Sequence, residues 1–140
     1  MSVIVDTNVL LYAADEDSRF HERSAHWLHT TIAGAGTVGF TWLALIGFVR
    51  IATNPRIMRN PAGVDEAFDL VDDWLAQPGS VVLDPTPAHP MVVRNLLRVA
   101  GTAGNLTSDA HLAAIALEHH AQICSFDNDF DRFGVHRIEP

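Results

Sequence analysis

The chain has 140 residues, a formal net charge of −8, and 48% hydrophobic against 19% charged residues. This size and balance indicate one globular domain over residues 1–140 and exclude an intrinsically disordered chain. The most apolar run, Val38 to Val49, is too short to cross a bilayer, and the start of the chain lacks the basic segment of a signal peptide. We therefore expect a cytoplasmic protein with no membrane partner.

The first half of the chain alternates predicted strands and helices. A β-branched strand covers Ser2 to Val5 and ends directly in Asp6, before an apolar segment from Val9 to Ala14. The later elements are an amphipathic helix over Phe20 to Ile32, a strand over Thr37 to Phe40, an apolar helix over Trp42 to Ala52, a helix with an acidic face over Val64 to Ala76 and a strand over Val81 to Leu83.

The second half repeats this alternation around a second group of acids. Its predicted elements are a helix carrying Arg94 and Arg98, an N-cap at Ser108, a helix over Asp109 to Glu118, a strand over Ala121 to Phe126, a tight turn over Asp127 to Phe133 and a strand over Val135 to Ile138. Strands that alternate with helices predict an α/β fold with a mainly parallel sheet.

Three acids are predicted to meet at one edge of that sheet. Asp6 and Asp127 each end a strand, and Asp109 begins the helix that leads into the second of these strands. Taken singly, they are equally well explained as a helix-terminal charge and turn residues. Together they would repel one another, and a hard divalent cation such as Mg²⁺ or Mn²⁺ would neutralise them.

Four segments carry a family resemblance along nearly the whole chain: Asp6-Thr7-Asn8-Val9-Leu10-Leu11-Tyr12, Arg50-Ile51-Ala52-Thr53-Asn54-Pro55, Asp109-Ala110-His111-Leu112-Ala113-Ala114 and Ser125-Phe126-Asp127-Asn128-Asp129-Phe130. In order and spacing they resemble PIN-domain ribonucleases of the VapC toxin type. The resemblance implies a PIN-like three-layer α/β fold, with a mostly parallel central sheet flanked by helices.

The resemblance also implies an activity and partners. It predicts a Mg²⁺-dependent endoribonuclease, the toxin of a VapBC-type toxin–antitoxin system, which cleaves structured RNA such as tRNA or rRNA. A homodimer and an inhibitory VapB-like antitoxin are the implied protein partners. Hydrolysis by a metal-activated water would leave a 5′-phosphate and a 3′-hydroxyl, without using the RNA 2′-hydroxyl as nucleophile.

Each candidate site residue has an expected role. Asp6, Asp109 and Asp127 are the predicted catalytic and metal-binding acids, and Asp129 is a fourth candidate ligand. The polar residues predicted to orient the acids or the water are Thr7, Asn8 and Ser125, although local turn hydrogen bonds explain them as readily. Arg50 is the predicted RNA contact, whereas Arg94 and Arg98 are better explained as ordinary surface charge.

One position departs from the family pattern. A glutamate usually stands about where this chain has Gly47, and no acid occurs between Glu22 and Asp65 to replace it. Either the site works with fewer carboxylates, with Asp129 contributing more, or its activity is weakened. Two alternatives follow: a catalytically weakened PIN-like module that binds RNA or an antitoxin, and a Mg²⁺-dependent phosphoesterase acting on a small molecule.

The remaining candidates give weaker predictions. The eight histidines show no zinc-binding spacing, and His111 is interpreted as a surface or packing residue. Cys124 is predicted to be a buried small hydrophobic residue. The apolar side chains of Trp27, Trp42 and Phe48 could contact a protein partner, but core packing is the simpler explanation.

Overall fold

A single five-stranded parallel sheet forms the centre of the molecule. The computed structural model describes residues 2–140, with strands β1 (Ser2–Val5), β2 (Thr37–Phe40), β3 (Ser80–Val82), β4 (Gln122–Cys124) and β5 (Arg137–Ile138). Their order across the sheet is β3-β2-β1-β4-β5, and all neighbours are parallel. The first strand of the chain therefore lies in the middle of the sheet.

Helices connect the strands and cover both faces of the sheet. They are α1 (Thr7–Ala14), α2 (His21–Ala33), α3 (Trp42–Ala52), α4 (Val64–Ala76), α5 (His89–Ala100) and α6 (Thr107–Glu118), with short 3₁₀ helices at Gly104–Leu106 and Asn128–Phe133. The parallel strands require such crossover connections, because a tight hairpin can join only antiparallel strands.

The two faces of the sheet bury separate apolar clusters. Along β1, Val5 packs with the side chains of α1 to α4, whereas Ile4 packs with those of α6 on the other face. This division follows from the two-residue period of a strand, in which successive side chains point to opposite faces. The result is the three-layer arrangement predicted from the sequence, with a helix layer on each side of the sheet.

Most predicted elements are confirmed, and the differences lie at element ends. The bounds of β1, β2, α3 and α4 agree with the prediction to the residue. The predicted strand over Ala121 to Phe126 shortens to Gln122–Cys124, and the predicted turn after it is a 3₁₀ helix with Asp127 as its N-cap.

The predicted N-cap at Ser108 is wrong. The 3₁₀ helix Gly104–Leu106 runs directly into α6, so α6 begins at Thr107 and Ser108 lies inside its first turn. Leu106 is the N-cap and makes no side-chain capping bond. Asp109 remains in the first turn of α6, as predicted.

The ends of β1 and β4 define the edge of the sheet where the acids lie. Val5 pairs with Cys124, so the residues that follow them, Asp6 and Ser125, emerge side by side. The Asp6 N–H also donates to the Cys124 carbonyl over 3.0 Å. Across residues 2–140, the helices are all too short or too polar to cross a membrane.

Candidate active site

Three carboxylates converge at the carboxyl edge of the sheet. One oxygen each of Asp109, Asp127 and Asp129 lie within 4.8 Å of one another. Asp109 comes from the first turn of α6, and Asp127 caps the 3₁₀ helix that carries Asp129. Asp127 Oδ1 accepts the Asp129 N–H over 2.9 Å, which fixes two of the acids relative to each other.

The fourth acid, Asp6, lies beside this group in a network of hydrogen bonds. Its Oδ1 accepts the Thr7 N–H over 2.8 Å, and its Oδ2 accepts the Ser125 hydroxyl over 2.7 Å. The amide of Asn8 donates to the same Oδ2 over 3.4 Å. Asp6 is not part of the group within 4.8 Å, and its carboxylate is held by the hydrogen bonds from Thr7, Ser125 and Asn8.

Ser125 links Asp6 to Asp127. Its fully buried hydroxyl accepts the Asp127 N–H over 3.0 Å and the Asn8 amide over 3.2 Å, while it donates to Asp6. Asn8 in turn accepts the Phe126 N–H at its Oδ1 over 3.3 Å. The two candidate orienting residues Asn8 and Ser125 therefore touch the acids or their backbone directly.

The electrostatics show that the acids repel one another. Partial burial, followed by the charges of Asp127, Asp6 and Asp129, raises the pKa of Asp109 to about 6. Burial also raises the pKa of Asp6, with a smaller contribution from Asp127, although hydrogen bonds from Ser125 and Thr7 oppose the shift. An ordinary aspartate pKa is about 3.9, so ionising the whole group costs free energy.

This donor set fits a hard divalent cation. The ligand atoms offered by Asp109, Asp127 and Asp129 are all carboxylate oxygens, which Mg²⁺ and Mn²⁺ prefer. A cation within this group would replace mutual repulsion by attraction. Within residues 2–140 no other cluster of three His, Cys, Asp or Glu side chains has this spacing.

Comparison with known proteins identifies the family. The PIN domain pattern matches residues 3–135 of the chain. The chain belongs to the PIN-domain family. Ribonuclease VapC37 of Mycobacterium tuberculosis is 46% identical over 98% of this chain and 96% of its own length. Ribonuclease VapC33 of the same species is 40% identical over 94% of this chain and 92% of its own length.

Solved structures of other proteins share the fold at low sequence identity. The toxin VapC20 of Mycobacterium tuberculosis, described as cleaving the sarcin-ricin loop, has a TM-score of 0.72 at 16% identity, with 99% of each chain covered. VapBC2 of Rickettsia felis, solved with a DNA fragment of its promoter, has a TM-score of 0.70 at 15% identity, covering 99% of this chain and 98% of its own. The predicted VapC-type PIN family and α/β fold are thus confirmed.

Gly47 lies against Thr7, the first residue of α1, which follows Asp6 in the chain. A Cβ atom built on Gly47 would lie 2.9 Å from Thr7 Oγ1 and 3.4 Å from Thr7 Cγ2. The Thr7 hydroxyl is itself fixed, because it donates to the Ala44 carbonyl of α3 over 3.1 Å. Thr7 therefore occupies the space that any side chain at position 47 would need.

Two arginines differ in whether they pair with an acid of the site. Arg50 lies one turn after Gly47 on α3, and its side chain is exposed without a carboxylate partner in residues 2–140. Arg132 lies 3.6 Å from Asp129 and partly neutralises that acid. Arg50 is therefore available for a phosphate, whereas Arg132 is already engaged at the site.

Sequence reasoning missed one row of hydrogen-bonded polar side chains between α5 and α6. Glu118, His89 and His111 form successive contacts, with His89 Nδ1 2.5 Å from Glu118 Oε2 and His89 Nε2 2.7 Å from His111 Nδ1. His111 is therefore a hydrogen-bonded residue and not simply a surface or packing residue. The residues are far apart in sequence and follow no ligand spacing, so only the packing of α5 on α6 shows the contact.

The candidate contact residues for a protein partner separate into buried and exposed side chains. Phe48 is fully buried, and Trp27 packs against the same core cluster, as core packing predicts. Trp42, in contrast, is 49% exposed at the start of α3. Cys124 is buried as predicted, and burial raises the pKa of its thiol to about 12, so it is not a reactive nucleophile.

The raised pKa of Asp109 predicts a pH-dependent stability. The folded-state value of about 6 lies above the unfolded value, so the free energy of unfolding falls as pH rises from about 4 to 6. In EDTA at pH 7.5, Asp109→Asn should raise the free energy of unfolding by about 1 kcal/mol, a figure reduced for solvent screening of this partly exposed group.

Urea unfolding at pH 4 and pH 7.5 measures this effect. The gain should vanish at pH 4, and added Mg²⁺ should stabilise the wild type more than the variant. Asp69→Asn, on the exposed face of α4, is the matched control and should change little. An Asp109→Asn protein less stable than wild type at both pH values would contradict the repulsion.

The contact between Thr7 and Gly47 predicts coupling between the two positions. Gly47→Ala should be about 1 to 2 kcal/mol more favourable in a Thr7→Ala background than in the wild type, because Thr7→Ala removes the Oγ1 and Cγ2 atoms that crowd the new Cβ. A double-mutant cycle in urea measures this coupling. Thr7→Ser retains the Oγ atom, so in that background Gly47→Ala should be no more favourable than in the wild type. If Gly47→Ala changes stability equally in all three backgrounds, the contact between positions 7 and 47 is contradicted.

Proposed function

We propose that this chain is a Mg²⁺-dependent endoribonuclease, with Mn²⁺ as a possible substitute, and the toxin of a VapBC-type toxin–antitoxin system. The observation that carries the proposal is the convergence of Asp109, Asp127 and Asp129, with Asp6 beside them, at the carboxyl edge of the sheet. Family membership supplies the reaction class, which is hydrolysis of phosphodiester bonds in structured RNA.

The acids are assigned distinct roles. Asp109, Asp127 and Asp129 hold the cation, and Asp6 completes the negative site at its edge. Asp6 keeps acceptor capacity, since a carboxylate has about four lone-pair sites and only three donors approach it. It is therefore suited to orient water or to contribute a further oxygen to the cation.

The orienting residues keep this arrangement rigid. Ser125 and Asn8 hold Asp6 in one rotamer, and the Thr7 N–H binds its other oxygen. A bound divalent cation supplies Lewis-acid stabilisation of the scissile phosphate and lowers the pKa of a water molecule. The expected products carry a 5′-phosphate and a 3′-hydroxyl, because the 2′-hydroxyl of RNA is not the nucleophile.

Substrate binding must be local in a protein of net charge −8. The exposed, unpaired Arg50 is the proposed RNA contact on α3, one turn from the Thr7–Gly47 contact. Structured regions of tRNA or rRNA are the proposed substrates. The related fold of a toxin described as cleaving the sarcin-ricin loop supports an rRNA target.

The proposed macromolecular partners are a VapB-like antitoxin and a second copy of the chain. Solved neighbours of this fold include VapBC structures, which supports a VapB-like antitoxin as partner. The proposed location of both proteins is the cytoplasm. A basic antitoxin side chain would be attracted to the acidic site. For the homodimer, α3 exposes Trp42, Leu43 and Ile46 by 49%, 42% and 51% on one side of the helix, an apolar patch suited to self-association.

RNA cleavage tests the proposed activity. Purified protein without antitoxin should cut end-labelled tRNA or rRNA into discrete fragments with Mg²⁺ or Mn²⁺ and not with EDTA. Asp109→Asn and Asp6→Asn should each lower the cleavage rate at least about 100-fold, a loss typical for removing a group that stabilises the reacting centre. Asp69→Asn, remote from the acids, is the control and should cleave normally.

Other outcomes would select the alternatives. Cation binding without cleavage of any RNA would indicate a weakened module that binds RNA or antitoxin, as the glycine at position 47 allows. Hydrolysis of a generic phosphomonoester, with RNA left intact, would indicate the small-molecule phosphoesterase. Isothermal titration calorimetry with Mn²⁺ measures cation binding, which both alternatives require and which a chain without a metal site would not show.

Self-association through α3 predicts the effect of a charge on its exposed face. Ile46→Glu should shift the protein from dimer towards monomer in sedimentation velocity, because a buried unpaired carboxylate is costly. Ile57→Glu changes another isoleucine, 58% exposed in the loop after α3, and should leave the dimer unchanged. If both variants sediment like the wild type, the dimer does not use this face.

A further inference from the structure

A large cavity lies between α5 and the start of α6, the helix that carries Asp109. Its volume is about 960 Å³, at the upper end of the range of about 300 to 1,000 Å³ for ligand sites. Apolar side chains that line it include Leu43, Val93 and Leu97. Ser108 also lines it, one residue before Asp109 in α6, although the four acids themselves are not among its lining residues.

Two arginine side chains without a carboxylate partner among residues 2–140 line the cavity. Arg94 and Arg98 both line it, are exposed, and have no carboxylate within 4.0 Å in the described chain. They are four residues apart on α5, so their Cβ atoms lie about 5 to 6 Å from each other. In a chain of net charge −8, this is a local positive rim suited to consecutive phosphates.

His89 also lines the cavity, and Glu118 holds it in place. The side chain of Glu118 is 4% exposed, its Oε1 accepts the Thr86 N–H over 2.8 Å, and its Oε2 contacts His89 Nδ1. Burial alone would raise the pKa of Glu118, but hydrogen bonds from Thr86 and His89 outweigh it and lower that pKa. The ionised carboxylate therefore requires a proton on His89 Nδ1.

His89 links Glu118 to the ring of His111. His89 Nε2 lies 2.7 Å from His111 Nδ1, so the two rings share one hydrogen bond, and His111 lines the cavity. The other ring nitrogen of His111, Nε2, has no hydrogen-bond partner among residues 2–140. The contacts from Glu118 through His89 therefore orient the His111 ring and leave its Nε2 free.

We propose that this cavity binds a ribonucleotide of the single-stranded RNA next to the scissile phosphate. Arg94 and Arg98 contact two consecutive phosphates, and the apolar floor of Val93 and Leu97 receives the base. His111 Nε2 forms a hydrogen bond with a ribose 2′-hydroxyl, which can donate or accept and which distinguishes RNA from DNA. The inference rests on the proposed RNA substrate and assigns part of its binding site.

Fluorescence anisotropy in EDTA tests the cavity without cleavage. The probe is a short labelled single-stranded oligoribonucleotide, compared with the deoxyribonucleotide of the same sequence. Arg94→Ala/Arg98→Ala should weaken RNA binding at least about tenfold and reduce the slope of log Kd against log salt by about 1.4, at about 0.7 per phosphate for single strands. Both residues are exposed, so the fold should be retained.

Matched variants separate the site from total charge. Arg56→Ala/Arg59→Ala removes the same charge from an exposed loop outside the cavity and should leave RNA affinity close to wild type. His111→Leu should reduce the preference for RNA over DNA, with melting temperature measured as a check of folding. If both double variants lose the same RNA affinity, the effect comes from total charge and the proposed site is wrong.

The remaining outcomes distinguish this site from the proposed activity. If Arg94→Ala/Arg98→Ala binds and cleaves RNA like wild type while Asp109→Asn abolishes cleavage, the cavity proposal is overturned and the nuclease stands. If wild type cleaves no RNA but binds it through the two arginines, the nuclease fails and the cavity is supported. If the arginine pair changes only sedimentation, a second copy covers the cavity and the proposal is overturned.

Discussion

The register between β1 and β4 is the constraint on which the site depends. Because Val5 pairs with Cys124, Asp6 and Ser125 leave the sheet at the same level. The buried Ser125 hydroxyl then joins the Asp6 carboxylate to the Asp127 backbone. A slip of one residue would send these side chains to opposite faces and scatter the acids. Core packing on both faces of the sheet therefore provides the free energy that holds like charges together.

The fold could largely be predicted because local and long-range signals agree. The β-branched run of β1 and the periodic helices α3 and α4 have clear ends in sequence, and their bounds were correct. The prediction of Ser108 as N-cap failed because the 3₁₀ turn before α6 runs directly into the helix, which therefore starts at Thr107. The sequence alone does not show where the helix starts, since serine is favourable both as an N-cap and in the first turn.

The candidate site could be predicted in composition but not in its internal arrangement. Acids at strand ends indicate one edge, and Asp109, Asp127 and Asp129 do meet there. Sequence could not show that Asp6 stands slightly apart, bound by Ser125 and Asn8. Nor could it show the chain from Glu118 to His111, which exists only because α5 packs against α6. Both features depend on side-chain geometry between elements distant in the chain.

The close approach of α3 to α1 constrains how the site could be re-engineered. Thr7 fills the space above Gly47 and its hydroxyl binds the backbone of α3. An acid introduced at position 47 would meet that hydroxyl, so Thr7 would have to move or be replaced to receive it. Adding a carboxylate to α3 is therefore a two-position design problem.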